Sequence, residues 1–331
     1  MSMAPSVIWE VPALTSRYSS KEIRSLLSSK EWISPHKRVI AMVDGDNKTA
    51  EIVEEHARGT CLGGSAWSLY HYTKNSKPVF WSKREGARIF YKVKLGISET
   101  KESLIPSYEP ARIESAVLEG GFVKVTYSGL AGAGVAALSR GMAEGVEGVE
   151  VSDWGGGKKL GRATIVIPRK EKLVIGVDDT DKADEGATWS LVNEIACSAS
   201  SEIAGVDYLE HAIVQLFPQN PHKTQNCVAV AVSFAVLPGS SPEVVRHFER
   251  RLKECSFSKE TGMAYWSGIV VPESLRLYAD SAKAGMVSVA DANSAAAASG
   301  VKTVEVTGRR GIIGAVAAVA YVEEPDKAVR L

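Results

Sequence analysis

A chain of 331 residues, 45% hydrophobic and 24% charged, is ordinary globular material; that excludes a wholly disordered protein and leaves room for two cored domains. Lys plus Arg and Asp plus Glu both number 39, so the formal net charge is zero and no global basic field draws the chain to nucleic acid or an anionic membrane. Cys61, Cys197, Cys227 and Cys255 stand far apart with no CxxC pair, which disfavours a zinc site or a disulfide framework and suits a reducing compartment. No basic-then-apolar leader opens the sequence, and no apolar run reaches the roughly 18 residues that span a bilayer. A cytoplasmic protein without a membrane partner is expected.

Residues 1–37 read as an N-terminal extension. The apolar run RVIAMV (38–43) then predicts a strand that ends in the acidic turn DGDN (44–47). GTCLGGSAW (59–67) follows, a candidate pocket wall in which Cys61 is more simply read as a packed thiol. VKVTYSGLAGAGVAAL (123–138) reads as a strand, a glycine turn and a helix of small residues. The triple glycine of VSDWGGGKKLGR (151–162) marks an exposed connection or hairpin, and the best boundary in the chain.

Beyond it, LVIGV (173–177) predicts a second strand ending in an acidic turn, DDTD (178–181). Leu191, Val192, Ile195, Ala196, Ala199 and Ile203 recur at helical spacing. HAIVQLF (211–217) and NCVAVAVSFAV (226–236) read as strands around a polar loop. Ser241 as N-cap, Pro242 at the first helical position and Glu243 near the positive dipole end introduce a helix with the stripe Val244, Val245, Phe248 and Leu252. A short strand over 303–307 leads through GRRG into a helix over 312–321, apolar nearly all round, which should be buried against a sheet. The acidic turns, the Trp-Ser-Leu that follows each, and the match of 123–138 to 304–319 suggest an internal repeat. The expected fold class is α/β, with α+β as the alternative: two related units in tandem, 38–165 and 172–331. The first is expected to be degenerate in its phosphate site, having no arginines in its glycine turn.

Three stretches of the second unit carry chemistry. Asp178, Asp179 and Asp181 repel one another, and a bound cation removes that repulsion; Mg²⁺, hard and commonly shared between one or two carboxylates and nucleotide phosphates, suits them. The same aspartates suit a helix cap or a solvated turn. NPHKTQN (220–226) offers Lys223 as a point charge and Thr224 as a hydroxyl, or is merely a turn. TGRRGIIGA (307–315) places Arg309, Arg310 and Gly311 at a helix start, where free N–H groups and the dipole favour an anion. Metal, phosphate clamp and charge-stabilising donors are together what phosphoryl transfer requires. His56 and His71 have no partner at ligand spacing and read as ordinary histidines. Trp67, Trp81, Trp189 and Trp266 are read as packing residues before base-stacking ones.

These three stretches, 173–191, 215–230 and 310–318, resemble in order the ATP-dependent kinase-like domain of archaeal agmatinylcytidine synthetase. That pattern reads approximately G-I-D-D-T-D-S…C-T-T-Y, then N-P-x-x-P-x-K-T-R-G-N, then R-G-x-I-G-A. Asp178, Asp179, Thr180 and Asp181 match the first motif, and Thr188 falls near its paired threonines. Pro221, Lys223, Thr224 and Asn226 match the second; Arg310, Gly311, Gly314 and Ala315 match the third. The resemblance implies ATP and Mg²⁺ bound there, with Thr188 as metal ligand, phosphate donor or transient phosphoacceptor. The chain departs from the pattern at Gln225, lacks the glycine after it, and shows no OB domain or zinc ribbon. Over its whole length it is similar to the methanogenesis marker protein eleven family. Together the resemblances imply a nucleotide-using enzyme that activates an oxygen of an acceptor, RNA or a methanogenesis protein. The alternative is a non-catalytic, nucleotide-sensing maturation factor for methyl-coenzyme M reductase. Neutral charge argues against tRNA binding without help, and oligomeric state is not set by the sequence.

Overall fold

The computed structural model describes residues 15–130, 135–156, 159–224 and 226–331, of 135–137 the backbone alone. Expectations that fall on residues 1–14, on 131–134 in the first glycine turn, on 157–158 and on Gln225 lie outside the described residues. The chain divides into two compact units: residues up to Ala41 with Glu51–Pro168, and Met42–Ala50 with Arg169–Leu331.

The expected extension contains structure. Strand β1 (Ser16–Ser19) leads into helix α1 (Ser20–Leu27), whose start is fixed by a capping box: Ser19 Oγ accepts from Glu22 N, and Ser19 N donates to Glu22 Oε2. Strands β2 (Arg38–Val43) and β3 (Thr49–Glu55) follow, then α2 (Leu62–Asn75), β4 (Val79–Glu85), β5 (Arg88–Lys94), β6 (Ala111–Glu119), β7 (Phe122–Gly129), α3 (Val135–Gly141) and β8 (Gly148–Gly156). The acidic DGDN is a hairpin turn from β2 to β3. Its carboxylates serve their own turn, Asp44 Oδ1 accepting from Gly45 N and Asp46 Oδ1 from Lys48 N. Gly155 and Gly156 close strand β8, which pairs with β9, Gly156 lying opposite Lys159, and the division between the units falls later, inside strand β9 (Lys159–Asp178). Within the first unit, Arg140 grips buried Glu54 with two bonds of 2.7 Å, and Tyr127 OH donates to the same carboxylate at 2.7 Å.

The second unit continues through α4 (Thr188–Glu202), β10 (Asp207–Gln215), β11 (Val228–Val236), α5 (Ser241–Cys255), β12 (Gly262–Ser267), α6 (Glu273–Ala284), α7 (Val289–Ser299), β13 (Lys302–Glu305), α8 (Ile312–Val319) and α9 (Pro325–Ala328). Its sheet runs β10–β11–β9–β12–β13, every neighbour antiparallel. The fold is mixed α/β, built on this sheet with helices on both faces.

Side-chain parity sorts the core. Leu173, Ile175 and Val177 of β9 join Val230, Val232 and Phe234 of β11 under α4 and α5. Val174, with Ala229, Ala231 and Ala264, faces α8 and the helices beside it. Helix α8 is buried nearly all round, as its sequence predicts. Gly176 lets it approach: a Cβ there would come 2.0 Å from the carbonyl oxygen of Ala315. Helix α5 begins at Ser241, one residue before the expected start, and the side chain of its N-cap Ser240 makes no capping bond.

Candidate functional site

Strand β9 ends at Asp178, against the first turn of α8. Gly314 makes that meeting possible, since a Cβ at this position would lie 2.0 Å from Asp178 Oδ2. Gly311 is there for the same reason: its Cβ would meet Gly262 N at 2.4 Å and Asp178 O at 2.6 Å. Around this junction one cleft, wholly within the second unit, is lined by Asp178, Asp179, Asp181, Lys223, Thr224, Asn226 and Arg310. It encloses about 60 Å³, room for a phosphate-sized group and an ion rather than a whole nucleotide.

The three aspartates have different tasks. Asp178 Oδ1 accepts the N–H of Asp179 at 2.8 Å. Burial, and next to it the charge of Asp179, pushes the Asp178 carboxyl well above the usual carboxylate range. Asp179 takes φ 61°, a conformation that turns its side chain out of line with its neighbours. Its Oδ2 accepts from Arg310 Nε and Nη2 at 3.0 and 2.9 Å, and its Oδ1 from Ser258 Oγ at 3.1 Å. Asp181 is held loosely, by Thr224 Oγ1 at 3.3 Å and Thr188 Oγ1 at 3.5 Å.

Other expected residues fall outside the cleft wall. Thr188 is buried at the start of α4, where its hydroxyl accepts from Thr180 Oγ1 at 3.0 Å and ties the acidic turn to the helix. Arg309 points away and pairs with exposed Glu305 at 3.1 Å. The free amides expected at GRRG are already used. Glu260 Oε2 accepts from Arg309 N and Arg310 N at 3.2 and 3.1 Å, and Glu260 O accepts from Gly311 N at 2.9 Å. The Arg310 amide is the main reason the Glu260 carboxyl is held below its ordinary range. An anion in the cleft must therefore be met by side chains, Lys223 and Arg310, instead of the helix end. Lys223 Nζ donates to the carbonyl of Pro218, a bond that a phosphate oxygen would outcompete.

Sequence reasoning placed Asn220 and His222 within the loop without giving either a role, and missed Cys227, which shares the cleft wall with them, and Glu260 and Ser258 behind it. Asn220 and His222 had a signal, since they lie inside the NPHKTQN loop itself, and Cys227 directly follows it; Glu260 had none. Burial raises the Cys227 thiol, so it is a protonated wall residue. Trp266 is buried, as expected of a packing residue, whereas Trp67 and Trp189 are about half exposed. No helix among the described residues is long and apolar enough to cross a membrane.

Among the described residues no three His, Cys, Asp or Glu side chains form a metal cluster by themselves. Asp179 is committed to Arg310, which reduces the expected three-aspartate ligand set. The remaining donors still fit Mg²⁺ in its usual nucleotide setting: two carboxylates, Asp178 and Asp181, a hydroxyl from Thr224, and phosphate oxygens and waters for the rest. A cation would also relieve the electrostatic strain that raises Asp178.

Residues 174–308 match the family model of the TiaS TCKD domain. The uncharacterized protein MJ0921 of Methanocaldococcus jannaschii is 43% identical over 296 residues, covering 89% of this chain and 97% of that protein. The tRNA 2-agmatinylcytidine synthetase TiaS of Pyrococcus horikoshii is 31% identical over 153 residues, 45% of this chain; the aligned part spans only 35% of the synthetase's length. Among solved structures, the complex of TiaS with its tRNA and ATP is similar at 23% identity with a TM-score of 0.40, covering 45% of this chain and 36% of that one.

Proposed function

The chain belongs to the family of the uncharacterized protein MJ0921, and we propose that it is a Mg²⁺-dependent, ATP-using enzyme that activates an oxygen of an acceptor by phosphoryl or nucleotidyl transfer. The observation that carries this reading is the meeting of Asp178, Lys223 and Arg310 at one phosphate-sized cleft. The match of 174–308 to the TiaS TCKD domain supports it independently.

Asp178 and Asp181, with Thr224, would hold Mg²⁺, which supplies charge neutralisation at the phosphate oxygens. Lys223 leaves the Pro218 carbonyl for a phosphate oxygen. Arg310, braced by Asp179, is pre-oriented, so no reorganisation is needed as charge develops in the transition state. Thr188 acts as a positioning residue that sets Asp181 through its hydroxyl. The acceptor is an RNA nucleotide or a protein; the tRNA in the relative's name favours RNA. A place in methanogenesis, through membership of the marker protein eleven family, belongs to the same proposal.

The test is turnover of ATP labelled at the α or the γ phosphate by the full chain, with Mg²⁺ and with either RNA or protein fractions from a methanogen as acceptor. Mg²⁺-dependent transfer of one label, lost in Lys223→Ala, is expected. ATP binding with no transfer to either fraction would refute the enzyme and leave a nucleotide-sensing maturation factor; no binding would refute both.

A further inference from the structure

The charges of the chain balance overall but not locally. Residues 56–97 hold eight lysines and arginines and a single carboxylate, Glu85. They form α2, β4 and β5 of the first unit. Part of that charge is used within the unit. Lys83 pairs with Glu85 at 2.6 Å, and Lys83 and Lys92 stand 4.6 and 4.5 Å over the rings of Phe90 and Trp81. Lys74, Lys77, Arg84 and Lys94 are exposed instead, and among the described residues none of the four pairs with a carboxylate. Arg84 Nη1 rests on the carbonyl of Gly86 at 2.9 Å. Cations gathered on one surface without counter-charge repel one another, and an anionic partner relieves that repulsion.

Aromatic rings share this surface. Strand β4 pairs with β5 and stands last in the sheet order, so its other edge is open among the described residues. The register slips between Val79 and Trp81, and the extra residue, Phe80, is turned out of the ladder, 44% exposed. Helix α2 lies alongside, its Thr73 Oγ1 bonded to Ser82 Oγ at 2.7 Å. Within a turn of Thr73 stands Tyr70, 59% exposed, with Lys74 Nζ 5.6 Å from its ring centroid. Lys77 lies between α2 and β4, and Lys94 N donates to the carbonyl of Pro78 at 2.9 Å, so both cations flank the start of β4. Cations and rings therefore alternate over about 20 Å, the length of this seven-residue strand. Such an edge suits a single strand of nucleic acid, whose phosphates need cations and whose unpaired bases need a flat face. A duplex keeps its base faces in the stack and offers the rings nothing to hold.

We infer that this edge of the first unit binds single-stranded nucleic acid, with phosphates on Lys74, Lys77, Arg84 and Lys94 and bases stacked on Tyr70 and Phe80. It gives the RNA acceptor of the proposed reaction a place on the chain. The strand is titrated without ATP or Mg²⁺, so failure here and failure of the transfer chemistry are separate results. The experiment follows the fluorescence anisotropy of labelled oligouridylate and oligothymidylate, each about 12 nucleotides long, and of a duplex of the same length, on adding the full chain. Between about 50 and 200 mM salt, affinity for the strands should fall with a log–log slope of about −3, the value for four phosphates on a single strand. Lys77→Gln combined with Arg84→Gln should bring that slope to about half. Tyr70→Ala and Phe80→Ala should each weaken binding about fivefold or more and leave the slope alone, since they remove stacking and no charge. Lys253→Gln, on α5 of the second unit, should change nothing. All the substituted side chains are exposed, and if Phe80→Ala does not fold, Tyr70→Ala carries the same reading. Wild-type protein that binds neither strand, a duplex bound as tightly as the strands, a slope unchanged in the double variant, or undiminished binding in a folded alanine variant overturns the inference. Displacement of the strand by phosphatidylserine vesicles assigns the surface to a membrane and overturns it as well.

Discussion

Asp178 concentrates the chemistry of the second unit, and it does so at the expense of stability. Its carboxyl lies above the ordinary range because burial and two neighbouring carboxylates oppose its charge. A carboxyl whose folded value is raised favours the fold only at pH below the unfolded value, and that contribution is lost as pH rises through the folded one. At neutral pH this carboxyl is therefore a cost. Asp178→Asn keeps the Oδ1 acceptor for Asp179 N, so metal-free variant protein should melt above wild type by differential scanning calorimetry, while losing any Mg²⁺-dependent response to ATP. Gly314→Ala drives a methyl into the same carboxyl and should destabilise by about 1–3 kcal/mol in urea denaturation, weakening nucleotide binding with it. Asp178, Lys223 and Arg310 were singled out in the sequence because an acidic turn, a Lys-Thr loop and an Arg-Gly helix start occur together; an acidic turn alone says little, since Asp44 and Asp46 end a similar run and serve only their own hairpin. Thr188 was expected in the site by resemblance but lies buried outside the cleft wall, because its burial follows from the packing of α4 on the turn.

At the scale of elements, the apolar runs and helical stripes identify β11, α4, α5 and α8 within a few residues, but of β9 only the C-terminal end, the strand itself beginning at Lys159, well before the LVIGV run. Helices α6 and α7 escaped reading, and the two acidic turns looked alike although one closes a hairpin and the other leads directly into a helix region. A four-residue turn does not record whether a strand or a helix comes next. The start of α8 illustrates the same limit. Its glycines and arginines read as an anion site, but Glu260, 49 and 50 positions away, caps the amides of Arg309 and Arg310. A capping carboxylate supplied from a distant loop leaves no local pattern. Glu260→Ala should therefore cost about 1 kcal/mol, the usual worth of an N-cap, while Glu260→Gln, which keeps an acceptor, should cost less; chemical denaturation distinguishes the two.

For the whole molecule, net charge near zero means that acid sensitivity will be set by particular buried groups, not by overall repulsion. His36 and His56 have folded values below the ordinary histidine value of 6.5, His56 at about 4. A histidine depressed on folding binds its proton more readily when unfolded, so its contribution to stability is full above about 6.5 and falls as pH drops toward 4. Unfolding free energy measured from pH 7 to pH 4 should fall across that window. His56→Phe, which has no proton to gain, should flatten part of the fall.

The central claim is that the cleft of Asp178, Lys223 and Arg310 takes the phosphate end of ATP together with Mg²⁺. The most direct measurement is the melting temperature of the full chain with ATP, with Mg²⁺, with both and with neither, repeated for Lys223→Ala. Ligand at about a hundredfold over Kd adds roughly 2.7 kcal/mol, a shift of several degrees. The account predicts that the shift requires both ligands and is lost in Lys223→Ala. A folded protein whose melting is indifferent to ATP with Mg²⁺, or a shift that survives Lys223→Ala unchanged, would contradict it.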